Sequence, residues 1–130
     1  MHLSFRWFLA LGYMGGIFLL SSIPDQGEPT STAEALLQWM TPELQNYLHI
    51  PLFGGLAATW AWALQPTVGR RRALWLALVI CSLFSLSDEW HQLHVPGRYA
   101  SLTDLALNQV GILLFLGYLW WRGSRYHAGL

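Results

Sequence analysis

Four stretches of the chain carry no charged residue, and short polar segments separate them. Residues 7–24 run almost continuously apolar up to Ser21-Ser22. Residues 44–69 are uncharged too, and their helical part is expected to stop at Leu64, before Gln65-Pro66. Residues 73–87 and 105–121 complete the set. Each stretch is roughly 15–20 residues, the length a helix needs to cross a hydrocarbon core of about 30 Å. Helices of a soluble bundle would each show a polar face, and these windows show none. The pattern predicts an all-α membrane protein, a single domain over residues 1–130 with transmembrane helices at about 5–23, 43–64, 73–92 and 102–121.

The first apolar stretch follows Arg6 as a secretory signal would, but no small-x-small cleavage site follows Leu20 and three more apolar stretches come after it. It reads as a retained span. Gly12-x-x-x-Gly16 on it permits close helix packing and gives a possible oligomer face. Between the first two spans, Ser31-x-x-Glu34 has the spacing of a capping box. Leu36, Leu37, Trp39 and Met40 then supply an apolar side. A short amphipathic helix on the membrane surface is expected there. Thr41-Pro42-Glu43 next reads as an N-cap followed by proline at the first helical position.

Composition agrees: 54% of the residues are hydrophobic and only 11% charged, against about a quarter charged in soluble chains. That excludes a disordered chain, and the zero net charge excludes a nucleic-acid partner. The single cysteine, Cys81, leaves no intrachain disulfide or cysteine-based zinc site. The placement of charge is more informative than its amount. All seven basic residues are arginines. With a cytoplasmic N-terminus and four spans, Arg6, an Arg70-Arg71-Arg72 loop, Arg122 and Arg125 lie inside, and Arg98 alone lies outside. The expected arrangement is therefore multi-pass, with both termini cytoplasmic.

The remaining polar residues gather at one height. Asp88 lies about 24 Å along its helix from Arg72, His49 about 24 Å from Gln65, and Asp104 about 27 Å from Arg122, at about 1.5 Å rise per residue. Three helices thus bring His49, Asp88, Glu89, Asp104 and Asn108 to the extracytoplasmic side. Ionisable groups at that depth should face protein or a wet cleft. Asp88 shares a face with His91 and Gln92, and Ser101, Asp104, Asn108 and Gly111 follow one face of the last helix. Arg98, in a Pro-Gly turn between those faces, has carboxylates to pair with and a fork suited to phosphate or carboxylate.

The ordered set Asp88-Glu89-x-x-Gln92, Pro96-Gly97-Arg98, Ser101, Asp104, Asn108 and Gly111 resembles the signature of the VanZ-like family. Leu20-Ser21-Ser22-Ile23-Pro24 and His49 match the family's other marks, so the resemblance covers nearly the whole chain. Asn46 departs from it, standing where relatives often carry a basic residue near the histidine. The resemblance implies a small four-helix inner-membrane protein. It also implies a cell-envelope context, since the founding member is associated with teicoplanin resistance.

Several readings remain open for the polar cluster. In the first, Glu89, His49, Asp88 and Asp104 are candidate acid–base groups, while Arg98, Gln92, Asn108 and Ser101 bind ligand. The cleft then recognises, or also processes, an anionic envelope lipid or a lipid-linked, peptidoglycan-related ligand. In the second, the bundle is non-catalytic and structural or partner-binding, with Asp88, Glu89, Asp104 and Arg98 forming an ion-pair network. In the third, the cleft holds a lipid head or glycopeptide without turnover. No cofactor is expected. His91-x-x-His94 reads as solvated side chains rather than a metal site, and Ser101-x-x-Asp104 as a helix N-cap rather than a nucleophile.

Overall fold

The computed structural model describes residues 3–40 and 42–127, and all its regular structure is helical. The helices are α1 (Leu3–Ser21), α2 (Thr32–Trp39), α3 (Pro42–Val68), α4 (Arg70–Gln92) and α5 (Leu102–His127). Four of them are long and alternate in direction. The ends of α1 and α4 and the starts of α3 and α5 therefore gather at one end of the bundle. α3 is its axis: it packs most extensively on α5, then on α4 and α1.

Why α3 takes that place is legible in its residues. Its buried face holds Phe53, Leu56, Ala57, Trp60, Ala61, Ala63 and Leu64, small and large side chains mixed so that neighbours interdigitate. Gly111 of α5 lets the two backbones touch, since a Cβ there would collide with the main chain of Ile50. A Cβ at Gly54 would strike the Phe115 ring in the same way. Ala73, Ala77 and Cys81 bring α4 in equally close. The Gly12-x-x-x-Gly16 motif is not used within the chain, for both glycines are exposed with nothing within 4 Å of an added Cβ.

The second span was expected to end at Leu64, but α3 runs through Pro66 to Val68. Proline at 66 has no N–H for the carbonyl of Trp62, four residues earlier. Arg6 Nη1 donates to that carbonyl at 3.0 Å, so the helix continues without an orphaned acceptor. Gly69 alone then reverses the chain, at φ 79°, and α4 begins at Arg70. The three arginines expected in a loop thus form the first turn of α4 instead.

By length and composition, α1, α4 and residues 102–125 of α5 can cross a membrane. α3 is long enough at 27 residues but less apolar, because Asn46, His49, Gln65 and two prolines dilute it. Three helices rather than four thus meet that standard. Large apolar side chains such as Phe8, Leu19, Leu83 and Leu113 are exposed around the bundle, as lipid contact requires. The protein is a membrane protein with several apolar helices.

The expected short helix exists as α2. Ser31 is its N-cap, accepting from Glu34 N at 3.2 Å. The return half of the box is displaced by one residue: the Glu34 carboxylate accepts from Thr30 N at 2.5 Å rather than from Ser31. The N-cap expected at Thr41 lies outside the described residues.

Candidate functional site

The gathered end of the bundle holds nearly every buried polar side chain: Ser21, Ser85, Asp88, Glu89, Gln92, Asp104 and Asn108. Their hydrogen bonds form two connected groups. The deeper one centres on Asn108, which is fully buried. Its Nδ2 donates to Ser85 Oγ at 2.9 Å and to Glu89 Oε1 at 3.4 Å. With Glu89 ionised, its carboxylate can only accept, and Asn108 Oδ1 is then the acceptor towards His49. His49 Nδ1 therefore carries the hydrogen of the 2.8 Å bond to Asn108 Oδ1. In the neutral ring Nε2 is then the lone-pair nitrogen. Glu89, Asn108 and His49 form a line across α4, α5 and α3 that holds one imidazole in one tautomer.

The other oxygen of Glu89 accepts from Ser101 N at 3.3 Å, tying the start of α5 to the end of α4. Ser101 itself is the N-cap of α5: its Oγ accepts from Thr103 N at 3.1 Å and from Asp104 N at 3.4 Å. That hydroxyl is a capping group.

The second group surrounds Asp88, which is only 1% exposed. Ser21 Oγ donates to Asp88 Oδ2 at 2.7 Å and Gln92 Nε2 to the same oxygen at 3.4 Å. Asp88 Oδ1 is buried and has no hydrogen-bond partner among the described residues. Such an oxygen costs roughly 1–3 kcal/mol unless something donates to it.

Arg98 does not pair with Asp88 or Glu89. Its Nε donates to Ile23 O at 3.2 Å, Nη2 to Leu20 O at 3.5 Å and Nη1 to Gln45 Oε1 at 3.3 Å. The first, Ile23 O, lies beyond the C-terminus of α1, while Leu20 O already accepts from Ile23 N at 3.2 Å, so Arg98 adds a second donor there. Gln45 in turn donates to Leu37 O at 2.8 Å, at the end of α2. Asp25 N completes the junction by donating to Pro96 O at 3.0 Å, with Gly97 at φ 77° pressed on the Asp25 backbone. The Pro96–Arg98 turn thus fastens the α1–α2 connection to the bundle. An ion network of Arg98 with Asp88 and Glu89 is not what holds this end together.

Between the two groups lies a pocket of about 160 Å³. Its polar lining is Ser21, Gln45, His49, Asp88, Gln92 and Arg98. Its apolar walls come from α1, from Leu48, Leu52 and Phe53 of α3, and from Leu37 of α2 and Met40 just after it. Of the eight residues expected to line one cleft, four do so. Glu89, Ser101, Asp104 and Asn108 stand outside that lining, Glu89 and Asn108 as the hydrogen-bonded support of His49.

Sequence reasoning passed over Ser21, Gln45 and Ser85. Ser85 and Gln45 had a helical signal, and Ser21 stood only among the marks of the family resemblance. Ser85 lies three and four residues before Asp88 and Glu89, and Gln45 lies four before His49, on the same face in each case. His91 and His94 diverge: His91 stacks on Phe18 with ring centroids 4.4 Å apart and bonds Ser22 at 2.9 Å, while His94 lies against Trp90. Among the described residues no three histidine, cysteine or acidic side chains are grouped to hold a metal ion.

A larger hollow, about 410 Å³, opens at the opposite end beside Gln65, Arg70 and Arg122. It contains no acid–base pair. The acid, amide and imidazole set belongs to the smaller pocket, which is therefore the candidate site. A family model described as VanZ/LLP1 matches residues 6–123 of the chain. No curated protein and no solved structure matches it.

Proposed function

The chain belongs to the VanZ/LLP1 family, and from that premise we propose that its small pocket binds the head group of an envelope amphiphile. The observation that carries this reading is the lining itself: α3, α4 and the Pro96–Arg98 turn bring His49, Asp88, Gln92 and Arg98 to a cavity whose other walls are largely apolar. Drug-sized ligands fill roughly 300–1,000 Å³, so about 160 Å³ suits a lipid head or a single sugar rather than a whole glycopeptide.

In this reading α3 is a fourth span. Its position as the packing axis offsets its lower hydropathy, since a helix surrounded by protein need not be as apolar as one facing lipid. The six-arginine end lies in the cytoplasm by the positive-inside rule, and the pocket faces the extracytoplasmic side. α2 then rests on the outer surface, with Leu36 and Trp39 exposed towards lipid.

The test is lipid retention. Wild type purified in mild detergent should carry lipid seen by native mass spectrometry, and Leu52→Trp, which fills the pocket, should lose it. Equal retention in the two proteins would overturn the reading. Expression in a glycopeptide-sensitive host with and without Leu52→Trp reads out a link to teicoplanin resistance.

Turnover is a second reading, favoured by His49 alone. An imidazole with its Nδ1–H held by a buried amide and its Nε2 lone pair free is a general base in the correct tautomer. In that case His49→Gln keeps a hydrogen bond to Asn108 yet stops product formation from a total bacterial lipid extract.

A further inference from the structure

Two side chains of the pocket lining, Asp88 and His49, carry acceptors. Asp88 Oδ1 is buried and unpartnered, and in the neutral ring with Nδ1–H bonded to Asn108, His49 Nε2 is the lone-pair nitrogen. Most donors on the same lining are already engaged. Ser21 Oγ–H and one Gln92 N–H go to Asp88 Oδ2, Gln45 Nε2 goes to Leu37 O, and three of the five Arg98 N–H groups go to Leu20 O, Ile23 O and Gln45 Oε1. A purely anionic head placed there would set its oxygens against oxygens.

We infer that the head group recognised by this pocket carries a hydrogen-bond donor, a primary ammonium or a hydroxyl, which reaches Asp88 Oδ1 with His49 Nε2 as a second acceptor. The inference rests on the proposed function and narrows it, replacing a generally anionic ligand with a donor-bearing one. The two remaining Arg98 N–H groups suit the phosphate that such heads also carry. Ammonium and hydroxyl share the chemistry the pocket asks for, and phosphatidylethanolamine and phosphatidylglycerol represent the two. Phosphatidylcholine keeps the phosphate and the positive charge but cannot donate from its quaternary nitrogen, and phosphatidic acid has no head alcohol.

The experiment offers the full-length protein these four lipids pairwise at equal concentration in mixed micelles and reads bound lipid by native mass spectrometry. Phosphatidylethanolamine, phosphatidylglycerol or both should exceed phosphatidylcholine and phosphatidic acid by roughly tenfold, the value of one buried hydrogen bond made rather than left unmade. Preference for the first alone identifies ammonium, and preference for the second alone identifies hydroxyl. Asp88→Asn sharpens the test. Its carbonyl must take the place of Oδ2 to accept from Ser21 and Gln92, so its NH₂ replaces the free acceptor with a donor and the preference should vanish. The wild-type series decides the matter even if that variant fails to fold. Equal occupancy by all four lipids that Leu52→Trp still abolishes overturns the donor requirement and leaves the amphiphile reading standing. Occupancy that Leu52→Trp does not change overturns both.

Discussion

The two ends of the bundle use arginine alike, although among the described residues only one of them buries carboxylates. At the arginine-rich end, each guanidinium with a described partner lies against a carbonyl or an aromatic ring. Arg6 bonds Trp62 O and lies 4.6 Å from the Trp62 ring centroid, Arg70 bonds Leu119 O, and Arg125 stacks over Trp121 at 4.1 Å. At the other end Arg98 does the same with Leu20 O and Ile23 O, although two carboxylates are buried nearby. Arg6, Arg70 and Arg98 each bond main-chain carbonyls of helices or helix ends. The consequence falls on Asp88 and Glu89, which are satisfied by amides and hydroxyls and in one case left with a free oxygen. A buried carboxylate neutralised by arginine would be structural. One held by neutral donors keeps its capacity to meet a ligand.

The strongest way to break this contrast is to remove the amide that organises the pocket end. Asn108→Leu leaves His49 Nδ1–H, Ser85 and Glu89 Oε1 each without a partner in a buried place. The cost should be about 3 kcal/mol or more. At the other end, Gln65 is exposed, so Gln65→Leu should change stability by no more than about 0.5 kcal/mol. Thermal unfolding in detergent, followed by tryptophan fluorescence, gives both values. Similar costs at the two positions would show that the buried network carries no special share of stability.

A second comparison stays on α5. Gly111→Ala drives a Cβ into the Ile50 backbone, which cannot move away, and should destabilise by about 1–3 kcal/mol. Gly117→Ala, six residues on and facing open space, should stabilise by about 0.5–1 kcal/mol through helix propensity. The sign itself is the measurement. If both alanines stabilise, the close approach of α3 and α5 at the pocket end is incorrect.

How much of this was legible in the sequence depends on whether the information was periodic. Helix positions followed from charge-free windows, and the common height of His49, Asp88 and Asn108 followed from helical rise, because 1.5 Å per residue is nearly invariant. Residues on one helix face were likewise readable, as the Asp88–Gln92 bond shows. Partners across helices were not. Nothing in the spacing says that Ser21 meets Asp88, or that Arg98 prefers the frayed end of α1 to a carboxylate. Those choices depend on which backbone groups remain unsatisfied after folding. The same cause explains why α3 outlasts Pro66. The Trp62 carbonyl it frees is reached by a residue 56 positions away in sequence.

Arg98 gives the third test. Arg98→Lys keeps the charge but replaces the planar fork that spans Leu20 O, Ile23 O and Gln45 with a single ammonium. Loss of about 1 kcal/mol is expected, with loosening of the α1–α2 connection seen as faster amide exchange at Asp25, whose N–H bonds Pro96 O. Arg125→Lys, on the exposed face over Trp121, should cost no more than about 0.5 kcal/mol. Equal effects would mean that charge, rather than shape, is what position 98 requires.

The smallest effect concerns α2, which with Met40 just after it supplies Leu37 to the pocket wall and is itself held at its start by a carboxylate at the surface. The Glu34 carboxyl lies below its ordinary value of 4.5, first because Thr30 N–H donates to it, then because the Thr30 hydroxyl does, and last through the contact with Ser31. A group with a depressed folded-state pKa adds stability that is fully present above the unfolded value and lost as pH falls through the folded one. The start of α2 should therefore be insensitive to pH from about 8 down to about 5 and should loosen below about 4, as the carboxyl protonates and its bonds to Thr30 weaken. Because Glu34 lies at the surface and bonds only its own helix start, the change should be local, visible as quenching of Trp39 fluorescence or faster exchange at Glu34 N–H without a shift in global unfolding. Glu34→Gln should abolish the pH response and leave the bundle intact. If acid instead loosened His49 and α2 together, the pocket wall and its polar floor would be one cooperative unit, and the separation of a rigid site from an adjustable cover would be lost.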